Sequence, residues 1–263
     1  MDRHPRSFPD SAPAIHLISD LDGTLLPAQV DARALAELES FLEDLPGVVV
    51  TFATGRTLDS ALALLAAHSV RPPRFLVTDV GTAIHRLEPS GAWAELPEYR
   101  DWVGARWDRQ AAEALLRGPL PRGIRPQRGT APATRLALEA EPGLELGQAA
   151  RELSSHLERC GFRGEVLASS CRCLDVLPLG VHKGSAVAHL DRSLGVGTVR
   201  IVCGDSENDL DMFRLADLAV VMPDFFPVVR ATIPGHRAVC SSCAGPRGIL
   251  EVLQQFLAPG GVR

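Results

Sequence analysis

Short unbroken apolar runs recur along the chain, each ending in a polar cluster and then a segment with apolar residues at three- and four-residue spacing. Ala14 to Ser19 (AIHLIS) runs into Asp20, and the spacing beyond it predicts a helix over 32–45. Val48 to Ala53 (VVVTFA) runs into Thr54-Gly55-Arg56, followed by a helix through LDSALALLAAH. Phe75 to Thr78 runs into Asp79-Val80-Gly81-Thr82. Late in the chain Val199 to Cys203 runs into Gly204-Asp205, ahead of a helix predicted over 208–216, and Leu218 to Met222 reads as one more strand. Apolar strands alternating with helices predict an α/β fold with a parallel sheet buried on both faces. Ligands gather at the carboxyl ends of such strands, where Asp20, Thr54 and Asp205 all fall.

Between about Arg86 and Leu177 the pattern changes to alternation. Strands are predicted over 134–140, 163–168 and 171–177, with a helix over 146–160. Alternation implies a sheet with one solvated face, hence a smaller α+β domain inserted into the first. The division expected is a core of residues 1–85 and 178–263 and an insert of residues 86–177. Gly118 to Gly129, rich in Pro and Gly, reads as a loop. Trp102 and Trp107, near helical spacing, read as core of a helix in the insert, with sugar-ring stacking the alternative for them and for Trp93.

Composition narrows the partners. With 46% hydrophobic and 22% charged residues in 263, the chain is a folded globular protein. A net charge of -5 argues against nucleic acid or an anionic membrane, which require a basic face. No apolar run reaches the roughly 18 residues that span a bilayer, and the segment MDRHPRSFPDSAP reads as a loose arm on a cytoplasmic protein. The six Cys do not form paired zinc knuckles and read as thiols. Of the 27 Lys and Arg residues, only Lys183 is a lysine. A compact ammonium and a planar guanidinium are not interchangeable where geometry is tight, which marks Lys183 for attention.

Four clusters stand in order at strand ends or helix starts: Asp20-Leu21-Asp22-Gly23-Thr24, Thr54-Gly55-Arg56, Lys183-Gly184, and Gly204-Asp205-Ser206-Glu207-Asn208-Asp209. Any one of them occurs in ordinary turns and caps. Together they resemble the four motifs of the haloacid dehalogenase superfamily of phosphohydrolases. The resemblance covers about 12–85 and 178–258, and the place of the insert matches the cap of the type IIB branch. It implies a Rossmann-like parallel-sheet core with an inserted α+β cap.

The chemistry agrees with the residue types. A phosphate monoester dianion repels nucleophiles and has a poor leaving group, so its hydrolysis needs charge neutralisation, positioning and a proton donor. A carboxylate is ionised at neutral pH and needs no base to attack phosphorus, which suits Asp20. The turn at Gly23 would swing Asp22 over the leaving oxygen as general acid and then base. The family pattern implies a magnesium site from Asp20, the backbone carbonyl of Asp22, and Asp205, with Asp209 close enough to hold a metal-bound water or orient Asn208. It further implies that the Thr54 hydroxyl and the Gly55 amide donate to the phosphoryl group, and that Lys183 lies between that group and Asp20. The same resemblance implies a substrate-binding role for Asn208. Arg56 either binds the substrate or pairs with an acidic neighbour.

Two more segments, Val80-Gly81-Thr82-Ala83-Ile84 and Leu174-Asp175-Val176-Leu177-Pro178 with Lys183-Gly184 five residues beyond, resemble the sucrose-phosphate and mannosylfructose-phosphate phosphatase branch. Glu207 departs from that branch, which often has a small residue there. The resemblance implies a magnesium-dependent phosphatase acting on a phosphorylated sugar or disaccharide. A phosphomutase or phosphotransferase, a glycosyl-phosphoglycerate phosphatase and a non-catalytic sugar-phosphate binder remain alternatives, and a synthase partner or a homodimer stays open. Arg125, Gln127, Arg128, Thr130, Arg135, Ser169, Ser170 and Arg172 of the insert, with His182 near its end, are the candidate sugar contacts.

Overall fold

The structure, a computed structural model, describes residues 15–128, 133–169, 172–194, 199–233 and 238–257. The chain begins with β1 (Ile15–Ser19), α1 (Ala32–Asp44), β2 (Val48–Ala53), α2 (Leu58–Ala67), β3 (Phe75–Thr78), β4 (Ala83–Leu87), β5 (Trp93–Glu95) and α3 (Pro97–Gly104). A middle stretch follows, with α4 (Arg109–Arg117), β6 (Ile124–Pro126), β7 (Leu136–Ala140), α5 (Leu146–Arg159), β8 (Glu165–Ser169) and β9 (Cys173–Leu177). The chain then returns through α6 (Lys183–Leu194), β10 (Val199–Gly204), α7 (Leu210–Phe213), β11 (Leu218–Val221), α8 (Phe226–Thr232), β12 (Ala238–Cys240) and α9 (Pro246–Leu257).

Eight strands form one sheet in the order β12-β11-β10-β1-β2-β3-β4-β5, parallel from β12 to β3 and antiparallel at β4 and β5. Neighbouring residues of its central strands go to opposite faces, as a pleated strand requires. Ile18 and Val202 pack with Val187 and Leu190 of α6 and Phe213 of α7, while Leu17 and Ile201 pack with Leu35 and Leu38 of α1 and Leu253 of α9. Both faces are therefore covered, which is why these strands read as apolar without alternation. Asp31 caps α1 by accepting the amides of Arg33 and Ala34. No helix among the described residues is long and apolar enough to cross a membrane.

The second sheet has the order β6-β7-β9-β8 and is antiparallel, with α4 and α5 on the face carrying Leu138, Leu174 and Val176. Several sequence expectations change here. The chain stays with the large sheet well beyond residue 86, because β4 and β5 pair onto its edge and Tyr99 and Val103 of α3 pack with Ile18 and Val202. Trp102 follows α3 into that larger cluster and stacks on Tyr99, whereas Trp107 packs edge-on against Phe162 in the smaller one. The two tryptophans thus serve different layers, not one helix. The expected loop over 118–129 contains β6, an edge strand that tolerates Pro126. The smaller sheet lacks the expected solvated face at its centre: Ala137 and Asp175, opposite the apolar cluster, are buried.

The helix predicted over 208–216 is also shorter and later, a 3₁₀ turn at Glu207–Asp209 followed by α7. Asp209 turns its carboxylate back onto the amides of Asp205 and Ser206, which tightens this first turn.

A second tight turn, Asp79–Gly81, links β3 to the rest of the core. Asp79 and Val80 have φ of 52° and 59°, unusual for non-glycine residues, and Gly81 follows at 98°. Gly81 is set against the start of α6, where an added Cβ would lie 2.2 Å from the His182 carbonyl carbon and 2.4 Å from the Lys183 amide nitrogen. Gly81→Ala should therefore cost about 2–4 kcal/mol of folding stability, through positive-φ strain and displacement of α6. Urea denaturation checks this, and an unchanged midpoint would contradict so close a backbone approach.

Candidate active site

Ser19 pairs with Phe52 on one side and Cys203 on the other, so β1, β2 and β10 end level. Asp20 leaves β1 with its amide on the Cys203 carbonyl at 3.0 Å, and Thr54 leaves β2 with its amide on the Val77 carbonyl at 2.9 Å. At Gly23 (φ 80°) the chain turns back, and the Leu26 amide reaches the Leu21 carbonyl at 2.8 Å. An added Cβ at Gly23 would sit 2.3 Å from an Asp205 carboxylate oxygen. Asp205 therefore packs directly on the first motif, where the Thr24 hydroxyl donates to it at 2.8 Å. Thr24 is fully buried, and nothing local in the first motif marks its hydroxyl as the partner of Asp205.

Lys183 lies at the centre, with no exposed side-chain surface. Its ammonium donates to Asp20 Oδ1 at 2.7 Å, Asp209 Oδ1 at 2.8 Å and Asn208 Oδ1 at 2.9 Å. All three N–H groups are thus used. Burial works against the lysine charge, but Asp20 and Asp209 outweigh it and push the ammonium above its ordinary value. Asp209 Oδ2 accepts from the Asp205 amide at 3.0 Å and the Ser206 amide at 3.1 Å, while the Ser206 hydroxyl donates to Asn208 Oδ1 at 3.0 Å. Asn208 and Asp209 thereby hold the lysine in place.

Asp20, Asp205 and Asp209 each place a carboxylate oxygen within 4.8 Å of the other two. Three carboxylates facing one ammonium leave two negative charges unbalanced in a poorly solvated place. Burial pushes Asp20 well above the ordinary carboxylate range against the pull of Lys183, and burial with the Asp209 charge raises Asp205. A hard divalent cation bound by oxygen ligands would supply the missing charge, so the donor set suits Mg2+. Asp20 and Asp205 are the residues that would hold it, with Asp209 behind them already engaged by Lys183 and the backbone.

The Asp22 side chain stands outside this group, half exposed. Arg56 holds it with two hydrogen bonds, Nε to Oδ2 at 2.7 Å and Nη2 to Oδ1 at 2.6 Å, and also donates to the Ser60 hydroxyl at 2.9 Å. In this arrangement Arg56 pairs with an acidic neighbour. Thr54 is fully buried and its hydroxyl accepts the Arg56 amide at 3.2 Å. The Gly55 carbonyl accepts from Arg135 Nη2 at 3.0 Å.

The candidate sugar contacts fare differently. Arg125 pairs with Glu139 at 2.8 Å, and Arg172 donates to the Ala140 carbonyl at 2.9 and 2.6 Å. Arg135 is buried between Asp175, Asp79 and Gly55. These three arginines bind their own chain. Thr130 and Ser170 lie outside the described residues. The buried polar network of Arg135 and Asp175 left no signal in the sequence, because alternation with Leu174 and Val176 puts Asp175 on the face expected to be solvated.

Residues 13–257 match the family model described as sucrose-6F-phosphate phosphohydrolase. The chain is 32% identical over 248 residues to a glucosylglycerol-phosphate synthase of Pseudomonas anguilliseptica, a match covering 91% of this chain and 30% of that one. It therefore spans less than a third of that relative's length. It is 29% identical to the mannosylfructose-phosphate phosphatase of Agrobacterium fabrum, with 91% of this chain and 96% of the other covered. The fold is shared with the sucrose-phosphatase of Synechocystis sp. PCC6803 in complex with sucrose and phosphate, at a TM-score of 0.78, 24% identity and coverage of 93% and 98% of the two chains.

The acid cluster has a consequence for stability. A carboxyl group with a raised folded pKa binds more protons folded than unfolded, so folding stability falls as pH rises above about 4. Asp20 and Asp205 should impose that decline on the metal-free chain, and saturating Mg2+ should flatten it. Thermal melts in EDTA and in Mg2+ between about pH 5 and 8 measure it; parallel curves would rule out a cation at this cluster. Lys183→Met should cost about 3–5 kcal/mol at neutral pH, with a smaller loss at acidic pH as the stranded carboxylates take up protons.

Proposed function

The chain belongs to the sucrose-6F-phosphate phosphohydrolase family of haloacid dehalogenase-type phosphatases, and on that premise we propose that it hydrolyses the phosphate ester of a phosphorylated sugar or disaccharide. The carrying observation is the fully buried Lys183 ammonium joining Asp20 to the turn that bears Asp205 and Asp209. It supports the reading because one small volume then holds a carboxylate suited to act as nucleophile, an ammonium that would offset its charge, and carboxylate oxygens suited to a divalent cation.

In the proposed reaction Asp20 Oδ attacks phosphorus as the bond from phosphorus to the sugar oxygen breaks. Asp22, released from Arg56 and carrying a proton taken from solvent, gives that proton to the departing oxygen. A water then attacks the aspartyl-phosphate, Asp22 takes its proton, and phosphate leaves with Asp20 restored. Lys183 offsets the repulsion between Asp20 and the phosphoryl oxygens, and Thr54 and Gly55 donate to those oxygens. Bound Mg2+ would supply charge neutralisation to the same group. The smaller sheet and its helices serve as the cap that reads the sugar and excludes water.

The relatives support a narrower reading of the substrate. The chain matches nearly the whole of a mannosylfructose-phosphate phosphatase, which favours a phosphorylated disaccharide. The match to part of a glucosylglycerol-phosphate synthase favours a second reading, a phosphorylated glycosyl-glycerol.

Phosphate release in Mg2+ from sucrose 6-phosphate, mannosylfructose phosphate, glucosylglycerol phosphate, trehalose 6-phosphate and simple hexose phosphates tests both. Turnover of one or more glycoside phosphates is expected, and release from none would refute the phosphosugar reading. A dependence of release on an added sugar acceptor would identify a phosphotransferase instead. Asp20→Asn should abolish turnover in a folded chain. Lys183→Arg keeps the charge but not the compact shape, and should lower kcat by at least about a hundredfold; near-normal turnover would contradict the central place given to the lysine.

A further inference from the structure

Arg135 lies just before β7 and is 6% exposed, yet the groups it binds come from three separate parts of the fold. Nη1 donates to Asp175 of β9, within the smaller sheet. Nε donates to Asp79 at 3.2 Å, in the tight turn that follows β3 of the large sheet. Nη2 donates to the Gly55 carbonyl at 3.0 Å, in the turn proposed to hold the phosphoryl group. A planar guanidinium presents its donors in a rigid fork, so fixing two of these partners fixes the direction of the third.

The turn at Asp79 is itself bonded to the Thr54–Arg56 turn. The Asp79 amide donates to the Arg56 carbonyl at 2.8 Å, and the Val80 amide to the Thr54 carbonyl at 3.1 Å. One residue on, the Tyr99 hydroxyl holds the Gly81 carbonyl at 2.7 Å, and Gly81 lies against the start of the Lys183 helix. Next to it the Thr82 and Thr134 hydroxyls meet at 2.8 Å, so two successive residues of the smaller layer, Thr134 and Arg135, grip this turn.

We propose that Arg135 is a positioning residue through which the seating of the smaller layer sets the alignment of the phosphate-binding turn. It touches no reacting atom. It holds the Gly55 carbonyl and the Asp79 carboxylate in register with Asp175, so a smaller layer displaced by a misfitting substrate releases the turn that carries Thr54 and Arg56. Sugar recognition and phosphate alignment are in this way coupled through one side chain. The coupling to sugar rests on the phosphosugar reading above; the mechanical link from Arg135 to the turn does not.

Removing Arg135 alone would strand the buried Asp175, so the principal variant is the pair Arg135→Met with Asp175→Leu, which removes both buried charges at similar volume. Amide hydrogen exchange on the substrate-free full chain is the first readout. Protection at Asp79 and Val80 should fall at least tenfold, while the ladder between β7 and β9 keeps its protection. Unchanged exchange at Asp79 and Val80, or an equal loss throughout both sheets, would overturn the proposal.

Kinetics give the second readout. With the phosphosugar that the panel identifies, kcat should fall at least tenfold with KM changed less than threefold, and the loss should exceed the loss on p-nitrophenyl phosphate by at least tenfold. Equal losses on both esters would refute the coupling to sugar. Arg135→Lys by itself keeps a charge beside Asp175 but not the fork to Gly55, and wild-type exchange and kinetics in that variant would also count against the proposal. Should the wild-type chain release phosphate from no phosphosugar, the function above fails while the exchange measurement still decides the link between Arg135 and the turn.

Discussion

A single buried ammonium organises this molecule. Lys183 has no exposed side-chain surface and spends its three donors on Asp20, Asn208 and Asp209. Those partners come from the end of β1 and from the turn after β10, while the lysine opens α6. Three elements far apart in sequence meet at one nitrogen. A buried charge is tolerated only when it is paired and hydrogen-bonded, so the carboxylates and the lysine each require the other. The same pairing leaves an excess negative charge that a divalent cation would balance. The stability of the centre and its proposed chemistry therefore rest on one charge balance.

The centre is braced from behind by the turn at Asp79–Gly81. Its positive-φ residues are strained, and such strain persists only where the surroundings over-determine it. Here they do. The turn bonds to Thr54 and Arg56, its Gly81 carbonyl to Tyr99, and its Asp79 carboxylate to Arg135. Gly81 then lets the start of α6 come close enough for Lys183 to reach Asp20. The segment Val80-Gly81-Thr82 thus has a mechanical reason: it is where the Thr54–Arg56 turn, the lysine helix and the smaller layer touch.

The large sheet was legible because its strands are buried on both faces and its helices are amphipathic, so period and composition agreed. The strands at Val48–Ala53 and Phe75–Thr78 emerged with the expected bounds. The smaller layer was harder to delimit. Nothing local to Tyr99 and Val103 says that they belong with Ile18 and Val202. Trp102 and Trp107 show the same difficulty, since helical spacing places them together and tertiary packing sends them to different clusters. The helix expected from 208 was shortened by Asp209, whose carboxylate serves the preceding amides and Lys183.

The division follows from the range of the forces involved. Residue order alone determined the alternation of strand and helix, the gathering of Asp20, Thr54 and Asp205 at strand ends, and the singular status of the one lysine, because periodicity and strand polarity are local properties. Only the tertiary structure decided that Arg56 meets Asp22, that Asp209 holds backbone as well as lysine, and that Arg135 faces inward onto Asp79, Asp175 and Gly55. An arginine in sequence is a charge on a long flexible stem, and its partner is chosen by which carboxylate the folded chain brings within about 3 Å, out of reach of water.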